Sequence, residues 1–413
     1  MLLPFDEALA AVLRECRPLP AETIDLDAAE GRVLVEDVRA DRPLPPFDRA
    51  AMDGFALRAA DAAAPGALLR VAFEARAGEW PEGRVGPGEA ARIMTGAPVP
   101  EGADAVQPVE KTRETGDGRV EIATAVAAGA HVAPRGSEAA EGAVVLESGR
   151  RLDAAALAVL ASCGTVRPRV GRRPRVVVLV TGDEIVPAST ARPGPAQIRN
   201  SNGPAVAALA RSAGAEVVVG DAVADDRGPL DRAIGDALSR ADVLVLSGGV
   251  SAGKYDLVEP ALAAAGATFL FTGVAMKPGA PLVFARRGEA LVFGLPGNPV
   301  STQVSFELFV RPCLLRLQGA RAVHAPRVPV VLGAALTNAS GRLNHVPAVV
   351  AVEDGRLVAR PVRTQGSGDL AAHARANALV VLAASRVRAE AGEAVPAVLL
   401  GRFLEDLSAP SPR

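Results

Sequence analysis

The chain is predicted to be a multidomain α/β protein, with a central doubly wound α/β domain, a β-rich second domain and a small C-terminal β-barrel. Three observations predict this. Apolar runs of Val and Leu end directly in glycine-rich loops at residues 175–184 (RVVVLVTGDE), 242–256 (DVLVLSGGVSAGKYD) and 290–301 (ALVFGLPGNPVS). Such runs read as strands buried on both faces, the pattern of an open parallel sheet. Residues 66–147 instead hold short β segments broken by Gly and Pro, and after Gly319 strands alternate with turns. Length agrees, because 413 residues exceed one core.

In chain order, residues 5–16 read as an amphipathic helix with Asp6 and Glu7 in its first turn. Residues 40–57 are proline-rich and extended, turning at Asp53-Gly54. Residues 153–163 read as a helix with Asp153 as N-cap and Gly164 as stop. The run RPRVGRRPR, 167–175, reads as a solvated linker. From 175 to 318 strands and helices alternate, with Asn202 capping one helix and 298–317 forming a long closing one.

Composition narrows the function. A net charge of −2 and 3% aromatic residues favour neither nucleic acid nor an anionic membrane. No segment reads as a signal peptide or membrane span, and Cys16, Cys163 and Cys313 are widely spaced, so a cytoplasmic protein is expected.

In open α/β sheets ligands bind beyond the carboxyl ends of the strands. Those ends carry Asp183, Glu184, Asp225, Asp226 and Asp256. Carboxylates gathered there suit Mg²⁺, which takes carboxylate and phosphate oxygens together. For Asp225 and Asp226 alone, helix capping explains the placement as well; Glu184 and Asp256, beside glycine loops, point to function. Gly248, Gly249 and Ser251 belong to GGVSAGKY, which nearly spells a phosphate-binding P-loop. Tyr255 stands where the motif needs Ser or Thr to ligate Mg²⁺, which argues against a P-loop hydrolase with Lys254 as clamp. Lys277 reads equally as a phosphate partner or a solvated loop lysine. Pro296 and Asn298 open a helix whose free N–H groups suit an anion. Thr95 reads on spacing alone as turn chemistry. The four histidines, His131, His324, His345 and His373, form no metal-ligand pair or Ser-His-Asp set.

A series of segments in order resembles the molybdopterin molybdenumtransferase family, which includes the E domain of gephyrin. They are PPFDRAAMDGFA, RIMTGAPVPEGADAV, PRGSEAAEG, VTGDEIV, QIRNSN, LSGGVSAGKYD, AMKPGAPL and FGLPGNPVS, followed by GRLNHVPAVV and GSGDLAAHARAN. The resemblance spans nearly the whole chain. It implies four domains: residues 1–39 with 141–166, an inserted domain at 40–140, an adenylyltransferase-like α/β domain at 167–319, and a C-terminal domain at 320–413. It implies an elongated homodimer that inserts molybdenum from molybdate into adenylylated molybdopterin with Mg²⁺, releasing AMP. Transient contacts with the adenylyltransferase and with apo-molybdoenzymes are implied too. Glu184, Asp256 and, more weakly, Asp226 become metal or molybdate ligands, and Lys277 holds a phosphate. Asp53, Thr95, Arg135 and Glu138 face the ligand from the inserted domain of the other subunit. Two departures stand out: Ala280 occupies the place of a second lysine, and Glu138 that of an aspartate.

Overall fold

The structure is a computed structural model that describes residues 2–249, 257–401 and 403. Ser251, Lys254, Tyr255 and Asp256 lie outside the described residues. The central sheet has six strands: β1 (Arg175–Thr181), β2 (Glu216–Val223), β3 (Val243–Ser247), β4 (Thr268–Thr272), β5 (Val283–Arg287) and β6 (Ala290–Leu295). Their spatial order is β2-β1-β3-β6-β5-β4. β2, β1, β3 and β6 are parallel, whereas β5 is antiparallel to both its neighbours. The three runs that predicted a parallel sheet, β1, β3 and β6, do lie parallel; β5 runs back against β6 because Arg287 pairs with Ala290 across the two-residue connection Gly288-Glu289, which makes a hairpin.

The unbroken apolar runs are explained by cover on both faces. Along β1, Val176 and Val178 join one core cluster and Val177 and Leu179 another. The first is shared with helices α1 (Asn202–Ser212) and α4 (Pro299–Ser305), the second with α2 (Arg227–Arg240) and α3 (Val258–Ala264). Residues 299–317 continue as one helical rod, α4 passing through a π-helical turn at Phe306–Val310 into α5 (Arg311–Leu317). The helix Phe5–Glu15 also packs here, with Phe5 against Phe309 at 5.1 Å between ring centroids, although it lies far away in sequence.

The basic stretch 167–175 is not a solvated linker. Arg169–Gly171 pairs with Ala21–Thr23, and Arg172 donates two hydrogen bonds of 2.9 Å to the Asp242 carboxylate. Burial opposes ionisation of Asp242, but the donors from Arg172 and the Arg175 backbone outweigh it and hold the carboxyl below its ordinary value. The run of charge therefore serves as a clamp on the central sheet.

Residues 54–122 form a second six-stranded sheet, around two apolar clusters made only of residues 50–132. Strands Arg327–Leu332, Leu343–Glu353, Arg356–Pro361, Ala378–Leu382 and Ala394–Leu399 close into a barrel, because Leu343–Glu353 pairs with both Arg356–Pro361 and Ala378–Leu382. Among the described residues, no helix is long and apolar enough to cross a membrane.

His345 sits fully buried where the barrel meets the N-terminal helix, its ring 5.3 Å from Phe5, with neither ring nitrogen hydrogen-bonded. Burial, and then the charge of Arg327, lower its pKa from 6.5 to about 3. Between those values the unfolded chain binds a proton that the folded chain refuses, so stability falls as pH drops from 6.5 towards about 3. The slope from this group reaches about 1.4 kcal/mol per pH unit. His345→Phe is expected to flatten the acid side of the thermal-melting profile; an unchanged slope would contradict the neutral buried state.

Candidate functional site

Val180, Ser247 and Leu295 are register neighbours, so three chain segments leave the sheet side by side at its carboxyl edge. The strand order reverses between β1 and β3, which makes this the topological switch point. Close approach dictates the glycines. Gly248 has φ +104, and a Cβ there would lie 2.3 Å from the Thr181 carbonyl oxygen. A Cβ on Gly297 would stand 3.6 Å from the Cα of Gly248. Gly249 also has a positive φ, +60, so two successive backbone units of the second loop adopt conformations that L side chains disfavour.

Buried polar side chains lock the loops together. The Asn202 amide donates to Ser247 Oγ and to the Gly297 carbonyl, both at 2.8 Å. Asn202 therefore does not cap α1; Asn200 does, its side-chain oxygen accepting from the Gly203 N–H at 2.9 Å. The Thr302 hydroxyl donates to the Pro296 carbonyl at 2.5 Å. Thr181 adds a buried hydroxyl with no hydrogen-bond partner among the described residues, at the base of the loops.

The N–H groups at the start of α4 are partly engaged. Pro299 has no N–H, and the Val300 N–H donates to the Ser367 carbonyl at 3.0 Å. The Asn298 amide does not cap the helix either; it donates to Ser367 Oγ at 3.0 Å. A barrel loop thus holds Asn298, while Thr302 and Ser247 hold the Pro296 carbonyl.

Acidic groups gather on the β1 side. The Asp225 N–H donates to Asp183 Oδ1 at 3.0 Å. Partial burial, then the charges of Asp183 and Glu184, push the Asp225 carboxyl above its ordinary value. Asp226 is set apart, as N-cap of α2 through a 3.2 Å bond from the Gly228 N–H. Among the described residues no group of three or more Asp, Glu, His or Cys closes on a single ion position. The crowded charge of Asp183, Glu184 and Asp225 still fits Mg²⁺, which keeps several waters and draws other ligands from substrate phosphates. Lys277 is exposed and has no carboxylate partner among the described residues; Met276–Lys277 pairs with Leu343–Asn344 of the barrel.

The residues expected from the inserted segment form a separate rim. Asp53, just before strand Gly54–Leu57, accepts from the Thr95 N–H at 2.6 Å and the Thr95 hydroxyl at 2.8 Å. These two bonds, the backbone one first, lower the Asp53 pKa. Thr95→Val keeps the N–H and loses the hydroxyl, so the Asp53 pKa should rise part of the way back, read by NMR titration of its carboxyl carbon. No rise would mean that the hydroxyl does not donate. The Arg135 N–H donates to Asp48 at 2.7 Å, and Glu138 pairs with Arg49 at 3.0 Å. No hydrogen bond or ion pair among the described residues joins this rim to the loops of the central sheet.

Asn202, Ser367 and Thr181 were not foreseen as site residues. The asparagine-rich QIRNSN and the GSGD turn hinted at tight geometry, but their partners lie 45 to 95 residues away for Asn202 and 69 for Ser367.

Comparison with known proteins places these features in context. Residues 3–164 match the model of the MoeA N-terminal region (domain I and II), residues 177–316 a probable molybdopterin binding domain, and residues 329–400 the MoeA C-terminal region (domain IV). A molybdopterin molybdenumtransferase of Bacillus subtilis (strain 168) is 34% identical, covering 96% of this chain and 94% of that protein. Molybdopterin molybdenumtransferase 2 of Mycobacterium tuberculosis is 39% identical over 85% of this chain and 87% of its own length. The crystal structure of the molybdopterin biosynthesis moeA protein from Pyrococcus horikoshii OT3 superposes with a TM-score of 0.83 at 28% identity, covering 97% of this chain and all of that one.

Proposed function

Since the chain belongs to the molybdopterin molybdenumtransferase family, we propose that it inserts molybdenum into molybdopterin at the carboxyl edge of the central sheet, using adenylylated molybdopterin and molybdate and releasing AMP. The observation that carries this placement is the convergence of three glycine-tight segments beside Asp183, Glu184 and Asp225 at the switch point. This chemistry asks little covalent participation of the protein. It needs a pyrophosphate, a cation and an oxyanion held in one place.

Each group has a role in that task. The glycines let backbone N–H groups come close to the pyrophosphate, where any side chain would intervene. Glu184 and Asp183 present negative charge to Mg²⁺, with Asp256 as a further candidate; the ion, when bound, offsets the charge on the phosphates as they separate. Lys277 supplies a positive point charge to a phosphate. With Ala280 three residues on, Lys277 carries that charge alone in its loop.

Asp53, Thr95, Arg135 and Glu138 complete the site from the partner subunit of a homodimer. Their separation from the central loops within one chain supports this arrangement. The chain would receive its substrate from an adenylyltransferase and pass its product to apo-molybdoenzymes. Incubation of purified protein with adenylylated molybdopterin and Mg²⁺ tests the reading: AMP should appear only when molybdate is added. Tight binding without turnover would favour a cofactor carrier.

A further inference from the structure

The β-rich segment that holds Asp53 and Thr95 also holds the chain's single tryptophan. Trp80 is 72% exposed, and its ring stands edge-on to Phe47 with centroids 6.0 Å apart and planes at 84°. Phe47 directly precedes Asp48, the acceptor of the Arg135 N–H. The loop carrying Trp80 passes beside Gly96, whose Cβ, if present, would lie 3.9 Å from that of Ala77. Met52 and Met94, neighbours of Asp53 and Thr95, are exposed as well, at 38% and 41%. An apolar, aromatic surface thus lies along the same rim as the four polar residues marked there. A solvated tryptophan offers a large apolar face that water wets poorly, and clustered exposed apolar groups mark binding surfaces.

The substrate has two flat fused rings, a pterin and an adenine, on either side of its phosphates. The three loops at the sheet edge supply glycines and carboxylates, but no aromatic side chain among their described residues at 182–184, 248–249 and 296–298. We propose that Trp80, held upright by Phe47, is the stacking platform for one of these planar heteroaromatic rings. This inference rests on the molybdenum-insertion reading and deepens it. The rim clamps a ring while the sheet edge holds the phosphates, so the reacting bond is fixed from both ends.

With only one tryptophan, the emission of the full-length protein reports this position alone. AMP and a phosphate-free pterin would be titrated separately, and the probe that quenches Trp80 saturably identifies the ring. Stacking of this kind contributes about 1–3 kcal/mol, so Trp80→Ala should raise the KM for adenylylated molybdopterin about ten- to a hundredfold. Its kcat should change little, since the contact is made in ground and transition states alike. Trp80→Phe should restore most of the affinity. If wild-type protein binds substrate by calorimetry without any change in emission, and Trp80→Ala keeps the wild-type KM, the platform is refuted while the insertase reading survives. If wild-type protein neither binds substrate nor releases AMP, both fall together.

Discussion

Gly248→Ala is expected to leave a folded protein with turnover reduced by about a hundredfold or more, the loss that follows a displacement on the order of 1 Å in a positioned site. Gly248 has φ +104, and a methyl group there would meet the Thr181 carbonyl oxygen at 2.3 Å. Neither atom can yield cheaply, because Thr181 is held in β1 between β2 and β3 and the Gly248 N–H is tied to the Leu295 carbonyl at 3.3 Å. The second loop must therefore shift away from the first. Gly288→Ala is the control. Gly288 also has a positive φ, +59, but no atom lies within 4 Å of its would-be Cβ, and it sits in the β5–β6 hairpin. It should cost about 1 kcal/mol of stability and little activity. Molybdate-dependent AMP release and thermal melts measured on both variants decide the matter. Near-normal turnover by Gly248→Ala would remove the glycine loops from the site.

The second large effect concerns the proposed homodimer and its shared site. Asp53→Ala and Glu184→Gln homodimers are each expected to lose most activity, because each lacks one side of both sites. Co-refolded mixtures should regain part of it, since one of the two sites in a heterodimer pairs an intact rim with an intact sheet edge. No recovery, despite heterodimers demonstrated by mass spectrometry, would mean that each chain builds its site alone. Among the described residues, the apolar clusters of the β-rich sheet contain none of the central domain's residues.

The parts of this arrangement that were legible in the sequence are those with a local signal. A Val-Leu run ending in glycine names both a buried strand and its carboxyl end, so the edge where Gly182, Gly248 and Pro296 emerge could be read before their register was known. Asp153 as N-cap of helix Ala154–Ser162 is equally local, and its carboxylate does accept from the Ala156 N–H. Long-range partners carried no such signal. Arg172 read as a solvated charge because Asp242, which it grips, lies 70 residues on. Asn202 read as a cap because Asn200, which takes that role, offers the same chemistry two residues earlier, and only the backbone path separates them. Asn298 read as open to a ligand because nothing local announces that Ser367 of the barrel reaches it. The direction of β5 had no local signal, since a two-residue hairpin at Gly288-Glu289 resembles any polar turn between strands.

The decisive experiment is single-turnover reaction of the purified protein with adenylylated molybdopterin and Mg²⁺, with and without molybdate, following AMP and the molybdenum bound to cofactor together. AMP and molybdenum-bearing cofactor should appear in equal amounts and only with molybdate, and Glu184→Gln should lower both in parallel. AMP release that ignores molybdate, or a Glu184→Gln variant that matches wild type, would contradict the insertase reading.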